Sequence, residues 1–187
     1  MRVLIVDNKD SFTYNLKHYL DQFAKNVDVL RGSEISIDAI EKYDKIILSP
    51  GPGLPEEHSI LDKLLSKYFK TKSILGICLG QQAIAQFFDS SLENLEFVKH
   101  GITSEVTHFN NCILFKNIPK KIKVGHYHSW VVSKESLSKE FEITSENDEG
   151  IITSISHKKY DVKGVQFHPE SILTEYGLKM IENWIKS

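Results

Sequence analysis

The first half of the chain alternates short apolar runs with stretches whose apolar positions recur at helical spacing. The apolar runs predict β-strands at 2–6, 27–30, 45–48 and 73–77. The intervening stretches predict helices at 11–23, 36–41 and 60–69, with a further helix that follows the fourth strand and ends near Phe88. A strand–helix alternation of this kind predicts a parallel sheet with helices on both faces.

From about Leu92 the pattern changes to short β-like runs that are separated by turn residues. These runs predict strands at 95–98, 104–108, 121–124, 141–144, 151–156 and 164–168, followed by a closing helix at 174–185. We therefore expect antiparallel strands added to a parallel sheet. Residues 1–187 contain no repeat, linker or low-complexity segment, and they predict one α/β domain with an open, mainly parallel twisted sheet.

Composition excludes several classes of function. A net charge of −2 and a pI near 6.4 argue against a nucleic-acid or anionic-membrane partner. No apolar run approaches the roughly 20 residues that span a bilayer, and the N-terminus reads as a strand, not a signal peptide. Two cysteines do not form a disulfide scaffold, so we expect reduced thiols and a cytoplasmic protein.

The strongest chemical signal is the run Gly76-Ile77-Cys78-Leu79-Gly80, which follows a predicted strand and precedes a predicted helix. It is the cysteine form of the G-x-S-x-G nucleophile elbow, a tight turn that needs its flanking glycines. The elbow places the thiol at a helix N-terminus, which favours the thiolate. The alternative, a cysteine buried as a small apolar residue, is disfavoured once a base is found nearby.

A candidate base and orienting group lie at the end of the 164–168 strand, in His168-Pro169-Glu170. Residues i and i+2 of an extended segment project to the same side. Pro169 fixes its own φ and biases His168 towards an extended conformation. Glu170 is therefore predicted to reach the imidazole that faces Cys78.

Three other features carry weaker signals. The loop Ser49-Pro50-Gly51-Pro52-Gly53 follows a strand, and its backbone N–H groups could face an oxyanion together with the N–H of Leu79. Cys112 lies in an apolar segment and is predicted to be structural. His126 and His128 flank Tyr127 and would share one face if this segment were a strand, but no third ligand is evident, so no metal site is expected.

These segments together resemble the triad class of glutamine amidotransferases, in the family's order and over nearly the whole chain. The matching motifs are Pro50-Gly51-Pro52-Gly53, Gly76-Ile77-Cys78-Leu79-Gly80-Gln81-Gln82 and Gly164-Val165-Gln166-Phe167-His168-Pro169-Glu170. Further similarity, to the amidotransferase subunits of anthranilate synthase and aminodeoxychorismate synthase, lies at residues 7–16, at Tyr127-His128-Ser129 and at 170–174. The resemblance implies a flavodoxin-like sheet.

The resemblance also implies a reaction: hydrolysis of L-glutamine to glutamate, with ammonia passed to a chorismate-binding synthase subunit, component I. Cys78 would be the nucleophile, His168 the base and acid, and Glu170 the group that orients His168. The N–H groups of Gly51 and Leu79 would hold the oxyanion. Glutamine would be bound by Gly51, Pro52, Gly53, Gln82, Ser129 and the backbone of Trp130.

By the same resemblance this subunit needs no cofactor, Mg²⁺ is expected in the partner synthase, and the isolated chain is expected to be a weak glutaminase. Residues 7–16 and 171–173 are expected to contribute to the partner interface. The chain departs from the family where Ile102 replaces a frequent lysine and Trp130 replaces a more usual leucine. Both departures bear on coupling to the partner and not on the triad.

Other interpretations remain open from the sequence. The chain could serve another ammonia acceptor, act as a stand-alone γ-glutamyl hydrolase, or be a non-catalytic binding module on the same fold. A binding module is disfavoured because all three triad residues are present. The sequence leaves undecided whether the product is anthranilate, for tryptophan, or aminodeoxychorismate, for folate, or both.

Overall fold

A computed structural model describes residues 1–109 and 112–187. Within them the strands are β1 (Arg2–Asp7), β2 (Asn26–Arg31), β3 (Lys45–Leu48), β4 (Ser73–Ile77), β5 (Leu92–His108), β6 (Lys121–Val132), β7 (Phe141–Asn147), β8 (Ile152–His157) and β9 (Val162–Val165). The α-helices are α1 (Thr13–Leu20), α2 (Ser59–Tyr68), α3 (Leu79–Phe87) and α4 (Gly177–Ile185). No helix in these two ranges is both long enough and apolar enough to cross a membrane.

The strands form one mixed sheet in the order β2-β1-β3-β4-β9-β8-β7-β5-β6. The first five strands of this order are mutually parallel, and the other four are added by antiparallel pairing. The predicted fold class, a parallel sheet with antiparallel additions in the second half, is therefore confirmed. Strand β9, near the end of the chain, lies beside β4. This pairing brings together the motif that contains Cys78 and the motif that contains His168.

Two apolar cores cover the two faces of the sheet. Val3 and Ile5 of β1 point into the core that contains α1 and α4, whereas Leu4 and Val6 point into the core that contains α2 and α3. Buried parallel strands read as continuous apolar runs because both of their faces are covered. The strands β1, β3 and β4 were predictable for that reason.

Several predicted boundaries were wrong. β5 is one strand of 17 residues rather than two short ones, and its pairing with β6 shifts register twice, between Asn94 and Lys99 and between His100 and Ile102. α1 begins at Thr13, since the carboxylate of Asp7 accepts the backbone N–H of Lys9 and holds the preceding residues in a loop.

The other predicted helices also differ in extent. The weak helix predicted at 36–41 is a single 3₁₀ turn, Ile37–Ile40. α2 is shifted one residue earlier than predicted. The closing helix begins at Gly177 rather than 174, because Tyr176 adopts a left-handed backbone (φ 59°) that a helix cannot include.

We predict that Gly177→Ala destabilises the protein strongly, because an added Cβ would lie 1.8 Å from the backbone oxygen of Pro169. Overpacking against backbone costs about 1–3 kcal/mol and sometimes more. Gly150→Ala is the matched control, because nothing lies within 4 Å of its Cβ position. Its left-handed backbone (φ +77°) should lower the free energy of unfolding by about 1 kcal/mol and no more. Urea unfolding measures both, and equal losses would contradict the prediction.

Candidate active site

One cavity at the carboxyl ends of the parallel strands contains both the predicted nucleophile, Cys78, and the predicted base, His168. It has a volume of about 290 Å³ and is lined by Lys9, Asp10, Ser11, Phe12, Pro50, Gly51, Pro52, Cys78, His100, Tyr127 and His168. Ligands bind at this edge of open α/β sheets. Two larger cavities, of about 480 and 590 Å³, lie elsewhere, and no predicted site residue lines either of them.

Cys78 occupies the tight turn between β4 and α3. Its φ is positive (φ 52°, ψ −103°), a strained conformation for a residue with a side chain. The flanking glycines leave no room for side chains: a Cβ on Gly76 would lie 2.4 Å from the backbone of Gly80, and one on Gly80 would lie 2.3 Å from the backbone oxygen of Leu48. The predicted elbow is therefore present, with the nearly buried thiol at the N-terminus of α3.

His168 and Glu170 form a buried pair beside Cys78. The Nδ1 atom of His168 lies 2.7 Å from Oε1 of Glu170, and each residue is only 2% exposed. A carboxylate can only accept, so Nδ1–H donates. Nε2 then has no hydrogen-bond partner among the described residues, in the cavity that His168 shares with Cys78.

The environment of His168 favours its charged form. Burial alone disfavours the imidazolium, but interactions with the side chains of Cys78 and Glu170 outweigh burial and raise the pKa of His168 to about 10. The main chain is held as well: the backbone N–H of His168 donates to Gly125 O at 3.1 Å, and its backbone oxygen accepts from Thr174 Oγ1 at 2.6 Å.

The two residues that were predicted to hold an oxyanion, Gly51 and Leu79, lie against each other. A Cβ on Gly51 would be 2.8 Å from Cδ2 of Leu79 and 2.6 Å from the backbone oxygen of Asn8, so only glycine fits. Gly53 does not line the cavity. Its positive φ of 76° serves the turn in which Glu57 accepts the backbone N–H of Leu54.

The remaining predicted glutamine-binding residues, Gln82, Ser129 and Trp130, do not line the cavity itself. Gln82 Nε2 donates to the backbone oxygen of Trp130 at 2.8 Å and to Oε1 of Gln166 at 3.2 Å. Gln166 in turn donates to Cys78 Sγ at 3.5 Å. Ser129 lies on β6 opposite the irregular part of β5. The side chain of Gln82 is thus connected to the Cys78 sulfur through Gln166.

Sequence reasoning assigned no site role to several residues at the cavity. Phe12 and Tyr127 place their rings against His168, at centroid distances of 6.0 and 4.9 Å. Burial raises the pKa of the Asp10 carboxyl, which also lines the cavity. For Gln166 a signal existed: it precedes His168 by two residues, so the period of an extended segment places both side chains on one side.

The histidine pair His126 and His128 and the second cysteine, Cys112, lie outside the cavity. His126 and His128 contact each other, with 3.0 Å between Nδ1 and Nε2, and burial lowers their pKa values to about 4 and about 3. Within residues 1–109 and 112–187, no cluster of three or more histidine, cysteine, aspartate or glutamate side chains could hold a metal ion. Cys112 lines a different cavity, and burial raises the pKa of its thiol.

We predict that Glu170→Gln lowers the pKa of His168 by about one unit or more, because it removes the adjacent negative charge. NMR titration of the histidine side chains measures this pKa. The folded pKa, about 10, lies above the ordinary value of 6.5. The charged pair's contribution to stability is therefore complete below about pH 6.5 and is lost towards pH 10. The stability difference between wild type and variant should shrink over that window.

The matched control for this prediction is Glu140→Gln, which changes the carboxylate that contacts the imidazole of His157 at 3.0 Å. It should leave the titration of His168 where it is in the wild type. An unchanged His168 titration in Glu170→Gln would contradict the prediction.

Comparison with known proteins agrees with this geometry. The class-I glutamine amidotransferase family model matches residues 4–187. Aminodeoxychorismate synthase component 2 of Escherichia coli (strain K12) is 39% identical over 185 residues, which cover 98% of each chain. Aminodeoxychorismate/anthranilate synthase component 2 of Bacillus subtilis (strain 168) is 38% identical over 187 residues, covering 99% of this chain and 96% of that one.

Structural comparison extends the agreement to the fold. The crystal structure of a glutamine amidotransferase from Thermotoga maritima superposes with a TM-score of 0.75 over 100% of this chain and 81% of that one. At 19% identity this likeness shows the fold alone. The family model, by contrast, spans nearly the whole sequence, and so the chain belongs to the class-I glutamine amidotransferase family.

Proposed function

We propose that this protein is the glutaminase component of a chorismate-using synthase, and that Cys78, His168 and Glu170 are its catalytic triad. The observation that carries the proposal is the strained elbow, which holds the Cys78 thiol in one cavity with the buried His168–Glu170 pair. The family's chemistry needs a cysteine nucleophile, a base and a group that orients the base. The site has a candidate for each.

In the first step the Cys78 sulfur attacks the side-chain carbonyl carbon of glutamine. His168, charged after taking the thiol proton, then donates that proton to the leaving nitrogen as the carbon–nitrogen bond breaks. Ammonia leaves and a γ-glutamyl thioester remains. A water molecule attacks the thioester while His168 accepts a proton from it, and glutamate is released with the thiol restored.

The developing oxyanion needs fixed donors, and backbone N–H groups at the turn can supply them. Gly51 and Leu79 are in contact, and the N–H of Leu79 belongs to the free N-terminus of α3. We propose that these two N–H groups face the oxyanion. Gly51, Pro52 and Gly53, with Gln82, Ser129 and the backbone of Trp130, are the proposed glutamine-binding residues.

The proposed partner is a chorismate-binding synthase subunit, component I. The names of both relatives above describe a second component of such a synthase. Near the cavity the chain exposes large apolar side chains: Tyr14 is 68% and Ile172 97% exposed. They lie in the two segments expected at the interface, 7–16 and 171–173. Covering them would give a partner direct contact with the loops that line the cavity.

The proposal includes two statements about cofactors. The glutaminase reaction as written needs only side chains, backbone donors and water, so this subunit works without a cofactor. Any Mg²⁺ requirement belongs to the partner, where chorismate is bound. A stand-alone γ-glutamyl hydrolase would share the triad, but it would have no need for the segments at 7–16 and 170–174 that resemble the chorismate-branch subunits.

We predict that Cys78→Ala abolishes glutamate release from glutamine, because the thioester cannot form. Cys112→Ala, which changes the other cysteine of the chain, should retain release within about twofold. Both variants are assayed with the synthase partner present, by enzymatic detection of glutamate. Equal release by Cys78→Ala and wild type would reject the proposed nucleophile.

We also predict that the isolated chain hydrolyses glutamine weakly and that a synthase partner from the same organism increases this rate. The chain is mixed with glutamine, chorismate, Mg²⁺ and, separately, each candidate synthase partner. Anthranilate is followed by fluorescence, and aminodeoxychorismate by coupling to the lyase that yields 4-aminobenzoate. Product in one mixture identifies the branch, and product in both shows that this chain serves both synthases.

Two outcomes would contradict parts of this prediction. Full-rate glutamine turnover by the chain alone, unchanged by either synthase partner, would reject dependence on a partner. Glutamate release without product in either mixture would support the proposed glutaminase activity and reject the proposed chorismate-using partner.

A further inference from the structure

A fully buried amide side chain contacts the sulfur of Cys78. Gln166 is 0% exposed, and its Nε2 donates to the Cys78 sulfur at 3.5 Å. We infer that Gln166 is a positioning residue, whose N–H holds the sulfur of Cys78 and favours the thiolate. We further infer that the backbone carbonyl of Trp130 sets its orientation through Gln82. The inference rests on the proposed role of Cys78 as nucleophile.

The sheet fixes the distance between Gln166 and Cys78. β4 and β9 are parallel neighbours with Ile77 opposite Val165, so the next residue of each strand, Cys78 and Gln166, also lie side by side. The backbone N–H of Cys78 donates to Val165 O at 2.8 Å, and that of Gln166 donates to Thr153 O at 2.8 Å. Both main chains are therefore held, and the amide has little freedom to move away from the sulfur.

The orientation of the amide follows from a chain of donors and acceptors. The carbonyl of Trp130 can only accept, so the Gln82 atom that lies 2.8 Å from it must be the nitrogen. That same nitrogen lies 3.2 Å from Gln166, which must present its oxygen there. The nitrogen of Gln166 is thereby directed at Cys78. A flipped amide would place two nitrogens, both donors, against each other.

This donor differs in kind from the other groups around the sulfur. The titratable side chains that line the cavity with Cys78 are Lys9, Asp10, His100, Tyr127 and His168, and Glu170 contacts His168 from behind. The amide of Gln166 carries no charge and does not titrate. It therefore offers the same N–H to the thiolate when His168 is charged and when it is neutral. Hydrogen bonds to charged groups are the stronger ones.

The test measures thiol reactivity, which needs neither glutamine nor a partner. In a Cys112→Ala background Cys78 is the only cysteine, and its alkylation by iodoacetamide is followed against pH. Gln166→Met keeps the volume and removes the donor. We expect the pH midpoint of alkylation to rise by about one unit, so that the rate below the midpoint falls about tenfold. Gln166→Glu, which offers an acceptor instead of a donor, should shift the midpoint at least as far.

Gln81→Met is the matched control. Gln81 is also a 0% exposed glutamine, in the motif that contains Cys78, but its amide atoms have no hydrogen-bond partner among the described residues. It should leave the midpoint within about 0.3 unit of the wild-type value, well below the shift expected for one charged hydrogen bond. Gln82→Met, which frees the oxygen of Gln166, should shift the midpoint upwards by less than Gln166→Met does.

Either of two results would overturn the inference: an unchanged midpoint in both Gln166 variants, or an equal shift in Gln81→Met. The proposed function fails differently, through full glutamate release by Cys78→Ala. The two failures are therefore distinguishable, because alkylation reports the thiol and glutamate release reports the reaction.

Discussion

The parallel pairing of β4 with β9 is the contact on which the site depends. These strands are separated by more than 80 residues of sequence, yet they lie in register from Ile74 with Val162 to Ile77 with Val165. One strand ends at Cys78, and the other continues through Gln166 to His168. The backbone bond from Cys78 N to Val165 O fixes the two ends against each other. A slip of one residue would point His168 away from the nucleophile, since side chains alternate along extended chain.

Close packing around this pair leaves little freedom for adjustment. Gly80 lies against the backbone of Leu48, and Gly164 lies against the side chain of Gln81, each where a Cβ would come within 3 Å of a neighbour. These approaches let α3 start directly after Cys78, so that the thiol lies at the N-terminus of the helix. The backbone strain at Cys78 persists because the surrounding structure fixes the turn on both sides.

The sequence was enough to predict the parallel half of the fold and the core of the site. Continuous apolar runs marked β1, β3 and β4, and the Pro169 spacing predicted the contact between His168 and Glu170, which is present at 2.7 Å. The extents of β5 and β6 were not predictable in the same way. β5 is exposed along most of its length and shows no regular alternation that could mark it as one strand.

The sequence did not predict which residues of different strands contact each other. Tyr127 lies on β6, at the far edge of the sheet order from β4, yet its ring packs on His168. Gly125 of the same strand accepts the backbone N–H of His168, so the middle of β6 lies directly beside the residues that follow β9. The pattern of apolar and polar residues within one segment cannot predict such a contact between distant segments.

The two halves of the sheet therefore contribute differently to the site. The parallel half holds Cys78 at a strand end, where a tight turn and a helix N-terminus meet. The antiparallel half contributes backbone acceptors from β6. The carbonyl of Gly125 accepts the backbone N–H of His168, and the carbonyl of Trp130 accepts the side-chain N–H of Gln82. A change in the position of β6 would therefore move His168 and the amide network together, since both are hydrogen-bonded to its backbone.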